Sequence, residues 1–262
     1  MVKCPECGKN NNDNDLFCGN CGSKMPEPKI CPYCEYESFD NTYCTKCGEK
    51  LISNESFHIK KLKEKIEFAI MKGNYELINH YCDKLLELKP NNIWAYEEKL
   101  DSLYFANYNY KAKRTANELL EIDPYNIEGN WIKGCILQEF GEYAESIECA
   151  EKLIEADSNN FRGYQLKGIA LQKFGKYEEA LECGEKLLEI DTYDNLSGYF
   201  IKGKALIGLG KYNEAMKYGE KLINEGLDNI IGYEIKQESL IGLGRYAEAN
   251  KVENERLKLL KK

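Results

Sequence analysis

The stretch Gly134-Cys135-Ile136-Leu137-Gln138-Glu139-Phe140-Gly141-Glu142-Tyr143-Ala144-Glu145-Ser146 returns 34 residues later as Gly168-Ile169-Ala170-Leu171-Gln172-Lys173-Phe174-Gly175-Lys176-Tyr177-Glu178-Glu179-Ala180. That return decides how most of the chain is read. Working outward, a Gly-x-Tyr turn or its relic stands at Gly73-Asn74-Tyr75, Asn107-Tyr108-Asn109, Gly141-Glu142-Tyr143, Gly175-Lys176-Tyr177, Gly210-Lys211-Tyr212 and Gly244-Arg245-Tyr246, in steps of 34, 34, 34, 35 and 34. A small or apolar column follows (Ile78, Ala112, Ser146, Ala180, Ala215, Ala249), and a leucine column after it runs from Leu85 through Leu222 before giving way to Arg256. Each unit has room for two helices that are amphipathic at i, i+3, i+4 and i+7 around one tight turn. One such pair cannot bury its apolar face, but stacked pairs can. Units are expected to begin at Ile59, Ile93, Ile127, Phe161, Leu196 and Ile230 and to fill residues 59–262, with 52–58 as a linker. Gly134, Gly168 and Gly203 on the first helix, with Ala180, Ala215 and Ala249 on the second, predict close approach within each pair. Ile66, Leu100 and Gln237 interrupt the glycine column, and Ser56 is the expected N-cap of the first helix.

These columns resemble the tetratricopeptide repeat family. The resemblance implies a mainly all-α protein, a solenoid of six helical hairpins, with function in a concave groove lined by the second, fifth, ninth, twelfth and thirteenth residues of each unit. Carried onto this sequence, that lining includes Trp94, Glu97, Asp101, Tyr104, Phe105, Trp131, Phe200, Lys204, Glu234 and Glu238. The Lys and Asn clamp that some family members use for acidic chaperone tails is absent as a set. Aromatic surface flanked by acids instead suits a protein or peptide partner with a basic or amphipathic segment. The competing reading, that the aromatics only seal repeat interfaces, carries equal weight.

Eight of the twelve cysteines fall before residue 50 as four Cys-x-x-Cys pairs: Cys4/Cys7, Cys18/Cys21, Cys31/Cys34 and Cys44/Cys47. Two thiolates separated by two residues reach one tetrahedral metal from a tight knuckle, and a second knuckle closes a four-sulfur shell. Gly8, Gly22 and Gly48 follow three of the second cysteines, where such a knuckle turns left-handed, and Glu35 breaks that pattern. The motifs Cys4-Pro5-Glu6-Cys7-Gly8, Phe17-Cys18-Gly19-Asn20-Cys21-Gly22, Cys31-Pro32-Tyr33-Cys34 and Tyr43-Cys44-Thr45-Lys46-Cys47-Gly48 resemble the double zinc ribbon family over residues 1–51. The resemblance implies two structural Zn²⁺ ions. Sequential pairing of the ligands (4, 7, 18, 21 and 31, 34, 44, 47) is favoured over a cross-braced one, with a hinge at Met25-Pro26-Glu27-Pro28. Four thiolates leave no open position for water, so hydrolytic zinc chemistry is excluded. Residues 1–50 carry six lysines against eight carboxylates, and eight thiolates with two Zn²⁺ bring the segment near −6, so nucleic acid is disfavoured as a partner. Phe17, Tyr33, Tyr36, Phe39 and Tyr43 are expected to fill the small ribbon cores or to form a docking patch.

The whole-chain charge of −8 and the two histidines narrow the room for phosphate binding and for acid–base catalysis. No apolar run approaches a membrane span and no apolar signal region opens the sequence, so a cytoplasmic location is expected. Gly198 to Lys204 imitates a phosphate-binding loop, but Ala205 stands where a hydroxyl would hold magnesium, and the stretch belongs to a repeat helix. His58 and His80 lack partners for catalysis, and Cys82, Cys135, Cys149 and Cys183 read as small apolar groups. The expectation is a non-enzymatic interaction scaffold whose groove holds a partner segment and whose ribbons form a second docking module. The alternatives are a nucleic-acid-associated adaptor and a non-catalytic regulatory subunit.

Overall fold

The computed structural model describes residues 1–12, 15–39, 41–190, 195–224, 226 and 229–259. Five two-residue strands come first: β1 (Val2–Lys3), β2 (Asn10–Asn11), β3 (Lys29–Ile30), β4 (Glu37–Ser38) and β5 (Ile52–Ser53). β1 pairs antiparallel with β2, and β3 lies between β4 and β5, antiparallel to both. Among the described residues twelve helices follow, in sequence pairs: α1 (Asn54–Met71) and α2 (Tyr75–Leu88), α3 (Ile93–Phe105) and α4 (Asn109–Ile122), α5 (Ile127–Glu139) and α6 (Tyr143–Ala156), α7 (Phe161–Phe174) and α8 (Tyr177–Glu189), α9 (Leu196–Gly208) and α10 (Tyr212–Asn224), and α11 (Asn229–Gly242) and α12 (Tyr246–Leu259). The chain forms two compact units, Met1–Ser102 and Leu103–Lys262.

Local chemistry explains the periodicity. The turn between the two helices of a unit needs one left-handed residue, supplied by Gly141 (φ 78°) and its equivalents and, in the relic, by Asn107 (φ 59°), the side chain that best tolerates that region. An asparagine precedes the first helix of successive units and caps α3, α5 and α7. The side-chain oxygens of Asn92, Asn126 and Asn160 accept from the amides of Ala95, Gly129 and Gly163 at 3.0, 2.9 and 2.8 Å.

In Met1–Ser102, the first hairpin buries Ile66, Ala69, Ile78, Cys82 and Leu85 together with Ala95 of α3. Residues 52–58, expected as a linker, are instead strand β5 and the start of α1. The N-cap of α1 is Ser53, not Ser56: the Ser53 hydroxyl accepts from the Ser56 amide at 3.2 Å. Met25, placed in a hinge by the sequence, lies in the first ribbon's core with Val2, Cys4 and Cys18, and Phe39 of the second ribbon packs on that same cluster. The ribbon aromatics divide accordingly. Phe39 and Tyr36 pack against cores, while Phe17, Tyr33 and Tyr43 are exposed.

In Leu103–Lys262, each hairpin stacks on the next. The glycines expected to bring paired helices together chiefly make room for the following unit: a Cβ on Gly134 would stand 2.3 Å from Leu166, on Gly168 2.8 Å from Ile201, and on Gly203 2.9 Å from Ile235. The residues that permit the closest backbone approach form other columns, such as Gly219 of α10 against Gly232 of α11, where an added Cβ would meet a carbonyl oxygen at 2.8 Å. Gln138 and Gln172 donate across to the Leu166 and Ile201 carbonyls at 2.8 and 2.7 Å.

Candidate metal centres and binding groove

The ribbon hairpins bring the eight N-terminal thiols together as two tetrads, Cys4/Cys7/Cys18/Cys21 and Cys31/Cys34/Cys44/Cys47, with the sulfurs of each tetrad all within 4.8 Å of one another. In both, the first and third cysteines are buried and the second and fourth exposed. Each knuckle is closed by an amide after the second cysteine of its pair: Gly8, Gly22, Glu35 and Gly48 donate to the Cys4, Cys18, Cys31 and Cys44 carbonyls at 2.9–3.0 Å. Sulfur–sulfur separations are 3.6 Å (Cys4–Cys21), 3.5 Å (Cys7–Cys18), 3.4 Å (Cys31–Cys47), 3.5 Å (Cys34–Cys44) and 3.7 Å (Cys34–Cys47). A tetrahedron with Zn–S bonds near 2.3 Å has edges of about 3.8 Å, so the donor set fits zinc, and no disulfide is formed. Each tetrad is positioned to bind one metal ion in a closed structural shell.

Donors aimed at the sulfurs favour the thiolate form. The amides of Asn20, Cys34 and Lys46 each lie 3.4 Å from the sulfur of Cys18, Cys31 and Cys44. The backbone N–H groups of Cys21 and Asn20 hold the Cys18 thiol down to about 6. The first tetrad has side-chain partners as well: the Ser23 hydroxyl is 3.1 Å from the Cys4 sulfur and 2.9 Å from that of Cys21, and the Asn11 amide donates to Cys18 at 3.6 Å.

The residues expected in the groove differ in how far packing consumes them. Within Met1–Ser102, Trp94 packs on the first-hairpin cluster with the Lys63 ammonium 5.0 Å from its ring centre, and Glu97 and Asp101 are half-buried on the same helix. Burial raises the Glu98 carboxyl, and a hydrogen bond from Trp94 opposes that rise. Within Leu103–Lys262, Trp131 leans on Leu137, Cys149, Ala150, Leu153 and Leu166, and the Arg162 guanidinium lies 5.5 Å above its ring while donating to Glu128 at 2.7 Å. Tyr104 is half-buried and hydrogen-bonded with Cys135, and burial pushes the two groups to about 12 and about 11. Phe105, by contrast, is 65% exposed, and Phe200 is half-buried beside Tyr199, Leu222 and Ile235. Glu234 and Glu238, read as open acids for a basic ligand, are both held by Lys204 at 2.7 and 2.8 Å. Burial opposes the ammonium, yet these two carboxylates hold Lys204 above the ordinary lysine range.

Sequence reasoning missed a second periodic feature. The seventh residue of every unit is a lysine, and Lys99, Lys167, Lys202 and Lys236 reach back to Asp83, Glu151, Glu185 and Glu220 of the preceding hairpin at 2.7, 2.8, 3.1 and 3.1 Å. Both columns are legible at the same 34-residue step that gave the glycines. Both histidines are exposed, their rings tilted beside Phe57 and Tyr81 at centroid distances of 6.3 and 5.3 Å. No helix among the described residues is long and apolar enough to cross a membrane.

Comparison with known proteins agrees with this geometry. The double zinc ribbon family profile matches residues 4–48, and tetratricopeptide repeat profiles match 127–160, 149–182 and 196–224. No curated protein matches the sequence. Among solved structures, a tetratricopeptide repeat protein from Parabacteroides merdae superposes with a TM-score of 0.70 at 16% identity, over 77% of this chain and 79% of that one. PilW, a type IV pilus biogenesis factor, gives 0.61 at 18% identity over 77% and 91%, and YrrB, a TPR protein with an unusual peptide-binding site, gives 0.59 at 17% over 71% and 98%. At these identities the likeness speaks for the fold alone. The chain carries an N-terminal double zinc ribbon followed by tetratricopeptide repeats.

Proposed function

We propose that the protein is a non-enzymatic interaction scaffold whose repeat helices hold an amphipathic segment of a partner protein, with the zinc ribbons as a second docking module. One observation carries the reading. The fifth position of successive units, Trp131, Gln165, Phe200 and Glu234, stays half-buried along Leu103–Lys262, whereas the third position, Gly129, Gly163, Gly198 and Gly232, is fully used in packing. Phe105, the last residue of α3, adds an exposed aromatic ring. Aromatic anchors of this kind supply most of the affinity in an interface, and a partner of YrrB's type, a peptide, is the ligand class we assign.

The Lys204 clamp alters the expected charge preference. A basic flank on the partner must compete with Lys204 for Glu234 and Glu238, so apolar anchors dominate and charge contributes mainly to association rate. The test is selection of peptides from a random library on the purified protein, followed by titration of the winners. Phe200→Ala is expected to weaken them by roughly tenfold or more, read on the folded fraction because Phe200 also packs on Leu222 and Ile235. Lys204→Ala is expected to strengthen binding of basic-flanked peptides at low salt. Peptides that bind all three proteins equally would sink the groove assignment.

A further inference from the structure

The knuckle pattern breaks at one place. Gly8, Gly22 and Gly48 occupy the left-handed position after a cysteine pair with φ of 70°, 73° and 79°, but at the first knuckle of the second ribbon that position is Glu35, at φ 57°. Glycine adopts this conformation freely and a residue with a Cβ resists it, so the ribbon itself gains nothing from a glutamate there. What the glutamate reaches lies outside the ribbon. Its carboxylate is 3.1 Å from the ammonium of Lys61 on α1, and one residue earlier Lys60 donates to the Pro32 carbonyl of the same knuckle at 3.2 Å. β5 pairs with β3 of this ribbon and ends in Ser53, the residue that caps α1. The strands that touch α1 are β3 and β5, both of the second ribbon.

α1 needs such a neighbour. In each later unit the third residue is small and buried against the preceding hairpin: Ala95, Gly129, Gly163, Gly198 and Gly232. In α1 the same position is Lys61, which turns to Glu35, and the seventh-position Lys65 lies over Tyr81 instead of reaching back to an acid. We propose that the second zinc ribbon is the N-terminal cap of the helical array, and that Glu35 is kept in a strained conformation because its carboxylate fastens the metal knuckle to α1. Metal at Cys31, Cys34, Cys44 and Cys47 then orders the first half of α1, and metal at the other tetrad does not. Terminal units of repeat arrays require a cap because stability passes only between neighbours, and metal that folds a ribbon passes its free energy to whatever the ribbon holds.

The test is hydrogen exchange of the full zinc-loaded chain, read at the amides of the first half of α1, with zinc retention followed in parallel by chelator competition. Glu35→Gly is expected to act in opposite directions: zinc is held at least as well because the strained knuckle relaxes, while α1 amides exchange roughly twofold to fivefold faster because an exposed ion pair is lost. Glu35→Lys combined with Lys61→Glu restores slow exchange. Cys34→Ser accelerates α1 exchange far more than Cys7→Ser does. If Glu35→Gly leaves α1 exchange at the wild-type rate, or if Cys7→Ser loosens α1 as much as Cys34→Ser, the second ribbon is not the cap.

Discussion

The cysteine-rich segment and the repeats obtain order from different sources. Of the buried apolar side chains described in residues 1–51, four are cysteines of the two tetrads, Cys4, Cys18, Cys31 and Cys44, joined by Val2, Met25, Ile30 and Leu51. That is too little apolar surface to outweigh chain entropy, so metal must supply the difference. From α4 to α12 each helix instead lies against the next, and buried leucine, isoleucine and alanine columns such as Leu119, Leu153, Leu187 and Leu222 repeat the same contact. A single chain thus contains one part that depends on a ligand and another that depends on shape.

Removing the metal is the largest perturbation that can break this comparison. A structural zinc contributes about 10 kcal/mol or more to a small ribbon. Chelation is expected to unfold residues 1–51 while leaving most far-UV helicity and the urea midpoint of Leu103–Lys262 nearly unchanged. Metal analysis of the purified protein should give two zinc ions per chain, and fewer than about 1.5 would count against two closed shells. Collapse of the whole helical signal on chelation would show that the two sources of order are not separate.

The next effect belongs to the repeats. Gly219→Ala gains helix propensity of about 1 kcal/mol but drives a Cβ to 2.8 Å from the Gly232 carbonyl and 3.1 Å from the Lys236 amide. Both obstacles are backbone and cannot step aside, so overpacking wins and a net loss of about 1–2 kcal/mol is expected in chemical denaturation. A stabilised Gly219→Ala would mean that α10 and α11 can slide apart freely.

How much of this was readable beforehand follows from the same contrast. Four knuckles at fixed spacing state the ligands outright, because tetrahedral geometry admits few spacings, and the 34-residue step states the hairpins. What stayed hidden was pairing across long sequence distances. Nothing near Glu234 and Glu238 announces that Lys204, thirty and thirty-four residues earlier, will hold both. Glu35 was visible as an exception, but its reason lies on α1, 26 residues away. The Ser53 cap was missed because Ser56 also satisfies the capping rule, and only the pairing of β5 with β3 decides between them.

A smaller effect separates two positions of one column. Asn126 is buried and caps α5, whereas Asn195 stands before α9 with no side-chain cap bond. Asn126→Ala is expected to cost about 1 kcal/mol, and Asn195→Ala a few tenths at most, in urea midpoints at fixed slope. Equal costs would mean that the asparagine column serves the loop before the helix and not the helix end.

The smallest expected effect sharpens the idea that neighbours alone set repeat stability. The ion-pair column has an acid at Asp83, Glu151, Glu185 and Glu220, but Asn117 occupies the corresponding place in α4, opposite Lys133 of α5. The lysines of the complete rungs are themselves half-buried, at 16%, 25%, 12% and 29% side-chain exposure, while their acids are largely in water. Such pairs lie at the upper part of the surface range, so Asn117→Glu is expected to add about 0.5 kcal/mol. Because a gain at one interface is shared by the hairpins on either side, it should raise the urea midpoint of the whole Leu103–Lys262 unit without a new transition. Screening supplies the control: at 1 M salt the Debye length falls to about 3 Å, and most of the gain should vanish. A gain that persists at high salt would come from the helix propensity of glutamate over asparagine, and the absence of any gain would show that Lys133 cannot adopt the rotamer its counterparts use.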